Sequence, residues 1–439
     1  MIANGEANTG AGSTIAPGRN QRSQKPLVQT LKSLPSRIRL VHVVVAIGVA
    51  SVFIAYVSVA PPTDLPNWPL YRLNSRVWQT FEHWGQHVKP HHVRIITMAL
   101  QHIESRALYI LSYFEIPDII NKAGEPLSCH EIKSRVDKKF GSEPVNLPFL
   151  CRVLHAAAHF DLLREAGEDK YSLTPLSEYL VSSHPRSLKE FVKLYSGDEA
   201  LIVSTALSRS MFSGLSGFKE TFREELAEYL PKDEQLREIF SLGLTDFSRL
   251  HAPAIIADYP SFSSCHHICD IGGGVGSFIY DLLNYYSFDI KGTNFDLPHV
   301  IDTGRSFMAK RGASNKIALV PGNFTEKLPK FGCDCYIMKD ILQNWSDEDA
   351  ALILRNLHSV MDSGHRLLLI ETIMHIGSYS EERLKSLLDL TMMSFHPSHS
   401  RLRTEEELFF LLQQSGYSDP QTYPTRASYS IIETFPIPS

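Results

Sequence analysis

Four glycines in five positions, Gly272-Gly273-Gly274-Val275-Gly276, stand between a short apolar segment, His266–Ile271, and an amphipathic run, SFIYDLLNYY. A glycine turn between strand and helix has no Cβ atoms in the way, so backbone N–H groups can approach a ligand at the helix N-terminus. Asp296 follows Gly272 by 24 residues and ends the next strand, GTNFDL. A carboxylate there is placed to accept hydrogen bonds from the two hydroxyls of a ribose. Strand, glycine turn, helix, strand, acid is the pattern of a nucleoside cofactor, either NAD or S-adenosylmethionine. The form Asp270-x-Gly-Gly-Gly-x-Gly276 suits the second, whose amino-acid tail passes close to the glycines and needs no pyrophosphate cradle.

Further strands read at Ile317–Val320, Cys333–Met338 and Arg366–Glu371, and Asp419–Tyr423 with Tyr429–Phe435 suits a hairpin closing the sheet. Seven strands with a reversed last one are the usual sheet of small-molecule methyltransferases. Upstream, ALQHIESRALYILSYFEI places Leu100, Ile103, Leu108 and Leu111 at helical spacing. Ser128 and Glu131 form a capping box that opens a second helix. FLCRVLHAAAHFDLL reads as another helix and Lys170–Pro175 as a strand and turn, so the segment has a winged-helix order. It lacks a Lys/Arg-rich recognition helix, which points to dimerisation and a substrate lid rather than DNA. Residues 185–260 read as helical, with breaks at Gly214, Gly217 and Pro231.

Forty-three Lys+Arg against 48 Asp+Glu give a net charge of −5, without the basic excess of a nucleic-acid binder. With 43% hydrophobic and 21% charged residues, wholesale disorder is excluded. Six cysteines in 439 residues are too few for a disulfide scaffold and lack zinc spacing, so six free thiols and no metal are expected. Residues 1–39 carry one acid, Glu6, and six bases; residues 40–60, LVHVVVAIGVASVFIAYVSVA, carry no formal charge and stop at Pro61-Pro62. At 1.5 Å per residue that run reaches roughly 30 Å, the thickness of a hydrocarbon core, and reads as a single membrane anchor. The bases before it place the N-terminus in the cytosol and the large domain in a lumen, unless the leader is an organelle transit sequence.

In order and spacing, DIGGGVGSF, NFDLPHVI, PGNF, MKDILQNWSDEDA, LLLIET and RLRTEEEL resemble the plant-type and acetylserotonin-type O-methyltransferases. The resemblance runs from Val93 to Ser439. It implies an α/β fold with a Rossmann-like seven-stranded methyltransferase sheet over 261–439, a winged-helix dimerisation domain over 76–185 and a helical linker and lid over 186–260. The membrane-anchor helix would precede these. It implies S-adenosylmethionine as cofactor, a small-molecule acceptor and a homodimer. By position, Asp270, Gly272 and Gly273 would meet the methionine tail and Asp296 the ribose. Asn323 and Phe324, in the place of the family's Asp-Phe, would bracket the adenine. Lys339 would touch the cofactor, with Trp345 on the nearby turn.

The catalytic block departs from the family. The family's His-Asp-Trp-Ser-Asp reads Gln343-Asn344-Trp345-Ser346-Asp347, and its His-Glu-Glu set reads Gln343, Glu371, Leu402. An amide cannot carry away a proton near neutral pH. General-base catalysis supplies ~10²–10⁴-fold, whereas alignment of the reacting atoms supplies a comparable or larger share. Three readings follow: an O-methyltransferase with a relaxed or relocated base, a repurposed enzyme catalysing rearrangement or cyclisation, or a non-catalytic membrane-tethered dimer. His396 or His399 could substitute as base, although a solvent-exposed loop is the plainer place for both. Met211, Phe212, Phe218, Phe222, Phe247, Met392 and Met393 are candidate acceptor-pocket residues. Both glycosylation sequons, at Asn323 and Asn344, fall at the inferred cofactor site, which points to a domain facing cytosol, stroma or matrix.

Overall fold

The computed structural model describes residues 89–438 apart from 142, 378 and 419. The leader and the apolar span over 40–60 lie outside the described residues. Among the described residues, no helix is long and apolar enough to cross a membrane.

The first helices are α1 (His91–Tyr113), α2 (Ile116–Ala123), α3 (Cys129–Phe140) and α4 (Leu147–His159). They pack with a three-stranded antiparallel sheet of β1 (Leu127–Ser128), β2 (Leu163–Glu165) and β3 (Lys170–Leu173), in the order β1-β3-β2. The capping box is present: the Ser128 hydroxyl accepts from the Glu131 N–H, and the Glu131 carboxylate accepts the Ser128 N–H at 2.8 Å. Leu111, Ile116, Ile132 and Leu154 are fully buried in the core of this region. The periodicity of α1 is correct but its outcome is split, because Leu100 and Ile103 remain 56% and 55% exposed.

Then come α5 (Lys189–Ser196), α6 (Asp198–Thr205), three short helices between 207 and 229, and the long α7 (Glu234–Asp258). Gly214 ends a helix in the left-handed conformation, whereas Gly217 opens one behind the cap Ser216, correcting its reading as a break. α7 packs along α5 on one side and against the first helix of the sheet domain on the other.

That domain contains β4 (His267–Ile271), α8 (Ser277–Tyr285), β5 (Lys291–Asp296), α9 (Pro298–Lys310), β6 (Ile317–Pro321) and β7 (Cys335–Lys339). α10 (Asp347–His358), β8 (Arg366–Glu371), α11 (Tyr379–Phe395), α12 (Glu405–Gln414), β9 (Gln421–Pro424) and β10 (Ser430–Thr434) complete it. The seven strands lie in the order β6-β5-β4-β7-β8-β10-β9, with β10 antiparallel to both neighbours. The reversed final strand is therefore as the sequence suggested. Both faces are covered. Leu367 and Leu369 of β8 join one core with Tyr336, Met338 and Ile432, while Leu368 and Ile370 join the opposite core with Ile337 and Ile431. A strand buried on both faces reads as a continuous apolar run, as LLLI does here.

Two pairs of cysteines are bridged, Cys129 to Cys151 and Cys269 to Cys333, which corrects the expectation of six free thiols; Cys265 and Cys335 are free and buried. The partners stand 22 and 64 residues apart, and sequence spacing carries no information on which cysteines the fold brings together.

Replacing Leu369, which has no exposed surface, by alanine should destabilise the sheet domain by ~2–5 kcal/mol through the cavity it leaves. Phe410, 58% exposed, should tolerate the same change within ~0.5 kcal/mol. Denaturant midpoints of the two variants test this difference.

Candidate functional site

Strand order reverses between β4 and β7. From β4 the chain proceeds outward to β5 and β6, then returns to β7 and β8 on the other side. Ligands of open α/β sheets bind in the crevice outside the carboxyl ends of the strands at such a reversal. The glycine turn leaves the end of β4, and Lys339-Asp340 leaves the end of β7.

The glycine turn cannot be built from other residues. Gly272, Gly274 and Gly276 have φ of +76°, +61° and +84°, where side chains are strained. At Gly273 the φ is ordinary but space is missing: a Cβ would lie 2.1 Å from Asn294 Oδ1 and 2.6 Å from Asp270 Cγ. A Cβ on Gly272 would meet Ile341 at 2.5 Å and the Phe324 ring at 3.1 Å. The turn is anchored from β5: the Gly272 N–H donates to Phe295 O at 2.7 Å, and the Asp296 carboxylate accepts from Gly274 at 2.8 Å and from Leu297 at 2.7 Å. Burial raises the Asp296 carboxyl while these backbone donors lower it, with a net upward shift. Beneath the turn, both carboxylate oxygens of Asp270 and Oδ1 of Asn294 are buried without a hydrogen-bond partner among the described residues. Burial pushes Asp270 up to about 7, against the pull of the Lys339 charge. Buried polar atoms are nearly always satisfied in folded proteins, so orphaned oxygens at a crevice mark a place for donors from a ligand.

Asn323 and Phe324 follow β6. The Asn323 side-chain oxygen accepts from the Thr325 N–H at 3.0 Å and the Thr325 hydroxyl at 2.8 Å, so it closes its own turn. The Phe324 ring lies against Gly272 and meets Trp345 edge-on at 5.7 Å.

Across the crevice, the Lys339 side chain is only 8% exposed, with Nζ paired to Asp340 and 4.6 Å from the centre of the Tyr429 ring. It is not a solvated strand end. Asp340 Oδ2 also accepts the Tyr429 O–H at 2.9 Å, and the Asn344 amide donates to Asp340 O at 2.9 Å. Gln343 Nε2 donates weakly to Asp340 Oδ1 at 3.5 Å, while Gln343 Oε1 and Asn344 Oδ1 are buried without a partner among the described residues. Glu371, at the end of β8, accepts the N–H groups of Ile341 and Leu342 at 3.2 and 3.0 Å. Burial first, then the Asp340 charge, pushes its carboxyl up to about 8. The loop between β7 and α10 is held by Arg403. Its guanidinium, 2% exposed, donates to the carbonyls of Leu342 and Trp345 and to Asp347.

The fold thus gathers Asp270, Gly272, Gly273, Asp296, Phe324, Lys339, Gln343 and Glu371 at the carboxyl ends of the strands, with Asn323 beside them. Sequence reading missed Asp340 and Arg403. A charged residue directly after the apolar strand CYIMK was the available signal for the first. Of the two histidines, His399 is exposed, but His396 is half-buried against Phe240, and burial pushes it down to about 4. That corrects its placement on a solvent-exposed loop. Met211 and Phe212 are 76% and 94% exposed, which removes them from any pocket within this chain. Phe218 and Phe222 pack with Tyr229 in a core, whereas Phe247 stands beside His251 and Tyr429, next to the Asp340 cluster. Met392 is buried and Met393 half-buried.

A family model described as an O-methyltransferase domain matches residues 186–418, and one described as an O-methyltransferase dimerisation domain matches residues 96–183. The 8-amino-8-demethylriboflavin N,N-dimethyltransferase of Streptomyces davaonensis is 28% identical over 330 residues, which are 74% of this chain and 90% of that protein. Myricetin 3'-O-methyltransferase 4 of Solanum lycopersicum is 28% identical over 344 residues, 75% of this chain and 90% of that protein. The crystal structure of human N-acetylserotonin methyltransferase in complex with S-adenosylmethionine shares the fold with a TM-score of 0.71 at 23% identity, covering 80% of this chain and 99% of that one.

The raised Glu371 carboxyl sets a pH dependence. The folded protein holds this proton more tightly than the unfolded chain. The resulting stability is fully present below about pH 4.5 and is lost as pH rises through about 8. Asp270 acts in the same direction, up to about pH 7. Glu371→Gln keeps the acceptor for the Ile341 and Leu342 N–H groups and removes the titration. Its melting temperature should fall less steeply than the native one between pH 5 and pH 8; parallel curves would disprove the assignment.

Proposed function

Because the chain belongs to the O-methyltransferase family, we propose that it transfers a methyl group from S-adenosylmethionine to a hydroxyl of a small molecule, as a homodimer. The observation that carries this reading is the glycine turn over the orphaned oxygens of Asp270 and Asn294, with Asp296 at the end of the neighbouring strand. When bound, the cofactor supplies an electrophilic methyl group on a sulfonium. Gly272 and Gly273 leave room for its methionine tail, and Asp270 offers that tail unpartnered carboxylate oxygens. Each Asp296 oxygen accepts one backbone N–H and keeps lone-pair capacity for a ribose hydroxyl. Phe324 presents a ring edge for the adenine, and Asn323, in the family's acidic position, spends its side-chain oxygen on Thr325. Lys339 stands between the cofactor side, where its charge reaches Asp270, and the acceptor side, where it pairs with Asp340.

On the acceptor side the residues orient more than they react. Gln343 contributes a hydrogen-bonding amide that takes no proton. Glu371 holds the backbone of the Gln343 loop through two N–H groups, and Arg403 holds it from below. Leu402 is buried and offers no carboxylate. The aromatic neighbourhood of Phe247, His251 and Tyr429 suits a flat acceptor. Homodimerisation is supported by the dimerisation-domain match and by the exposed Ile95, Ile96, Met98, Leu100 and Ile103 on α1. The uncharged span over 40–60 would tether the dimer to a membrane, with the catalytic domain on the cytosolic or organelle-interior side. The competing reading, a protein of this fold that has lost methyl transfer, draws on Gln343 and Leu402 alone.

Calorimetric titration of S-adenosylmethionine into the full chain tests the reading. Native protein should bind, and Asp296→Ala should weaken binding by ~10–100-fold, the worth of a charge-assisted hydrogen bond. Absence of binding at millimolar cofactor in folded protein would sink the enzymatic reading and favour a tethered partner-binding module.

A further inference from the structure

With Gln343 in the base position, methyl transfer to a hydroxyl lacks an evident proton acceptor. The Gln343 amide nitrogen lies 3.5 Å from Oδ1 of Asp340. We propose that Asp340 is the proton acceptor of this site, receiving the proton of the acceptor hydroxyl on Oδ1 while Gln343 orients that hydroxyl beside it. This rests on the methyltransferase reading above, and it assigns to a different residue the step that Gln343 cannot perform.

Backbone conformation is the first support. Asp340 has φ of +59°, a left-handed conformation that is strained for a residue with a side chain and that aspartate tolerates better than most. It is held there by its own N–H, which donates to Ile370 O at 3.1 Å, and by the Asn344 amide on its carbonyl. The kink turns the chain from β7 into the Gln343 loop and sets the carboxylate at the crevice.

The partners of the two oxygens differ. Oδ2 takes the Tyr429 O–H and the Lys339 ammonium, both of which stabilise the anion. Among the described residues, Oδ1 has only the long contact to Gln343. The oxygen with spare capacity is therefore the one beside the residue in the base position.

Its surroundings place it on the acceptor side. The titratable groups facing Asp340 are Lys339 of β7, Glu371 of β8, Tyr429 before β10, Tyr195 of α5, His251 of α7 and His396 after α11. They come from both layers, so the carboxylate stands where the helical layer meets the strand ends. Glu371, pushed up to about 8 by burial and then by the Asp340 charge, holds a proton near neutrality. His251 and His396 are both lowered by burial and stay neutral. In the step itself, the acceptor oxygen bonds to the methyl carbon and the carbon–sulfur bond breaks, leaving its electron pair on sulfur. The hydroxyl proton passes to Oδ1 and is released to solvent when the product leaves.

A spectroscopic probe tests this without knowledge of the natural acceptor. 4-Nitrophenol is titrated into the full chain saturated with S-adenosylhomocysteine, and its phenolate absorbance is followed against pH. A carboxylate beside the phenol oxygen opposes ionisation, so the bound probe should ionise at a pH higher by about one unit in native protein than in Asp340→Asn. Tyr429→Phe keeps the Asp340 charge and should leave the midpoint at or above the native value. Equal midpoints in native protein and Asp340→Asn would overturn the proposal. So would a downward shift shared by both variants, which would mark a structural disturbance, or failure of the probe to bind at millimolar concentration. Failure of native protein to bind S-adenosylhomocysteine at all would instead remove the methyltransferase reading beneath it.

Discussion

Burial of the parallel strands on both faces is the constraint from which the site follows. β4, β7 and β8 run side by side, and their side chains alternate into two apolar cores. Within those strands a polar side chain would be desolvated with no partner in reach. Polar chemistry is thereby confined to the strand ends, and all the parallel strands end on the same side. Asp270 precedes the last residue of β4, Asp296 closes β5, Lys339 closes β7 and Glu371 closes β8. Their convergence from positions as far apart in the chain as Asp270 and Glu371 is a consequence of parallel pairing in register.

The same burial sets the electrostatics. Asp270 and Glu371 sit at the boundary between apolar core and crevice, where desolvation is the largest influence on each, and both carboxyls are raised towards or above neutrality. Charges nearby then act with more force than they would in water. Lys339 pulls Asp270 down, and Asp340 pushes Glu371 up. Arg403 performs the structural counterpart. Buried itself, it donates to two loop carbonyls and the Asp347 carboxylate, while Ile341 and Leu342 of the same loop join the apolar core. Asp347 is more than half exposed, so the two carbonyl contacts of the buried guanidinium are the larger part of that hold.

Much of this architecture was legible in the sequence because its signals are local. The glycine turn, the acid 24 residues later, the LLLI strand and the Ser128–Glu131 cap each announce a backbone requirement within a few residues. What was not legible depends on contacts distant in sequence. Cys269 and Cys333 meet only because β4 and β7 pair. His396 is half-buried because α7 brings Phe240 against it. Asp340 lay in plain view after an apolar strand, yet nothing in its neighbourhood shows that Tyr429, 89 residues later, donates to it. Leu100 and Ile103 follow helical spacing correctly and still face outward, since periodicity identifies a face without identifying what covers it.

The costs of the two parts of the cradle differ in kind. The fold itself requires the three left-handed glycines and a turn where a single Cβ would strike Asn294 at 2.1 Å. Asp270 is different, because its buried, unpartnered oxygens cost free energy in the absence of a ligand. At position 343 an amide adds no group that could ionise to a crowded set. Asp340, Glu371 and Lys339 already share the crevice. A further imidazolium beside the Lys339–Asp340 pair would compete for the carboxylate that Lys339 and Tyr429 hold. A neutral amide leaves Oδ1 of Asp340 open. The amide at 343 and the carboxylate at 340 thus share one loop, where Gln343 Nε2 meets Asp340 Oδ1 at 3.5 Å.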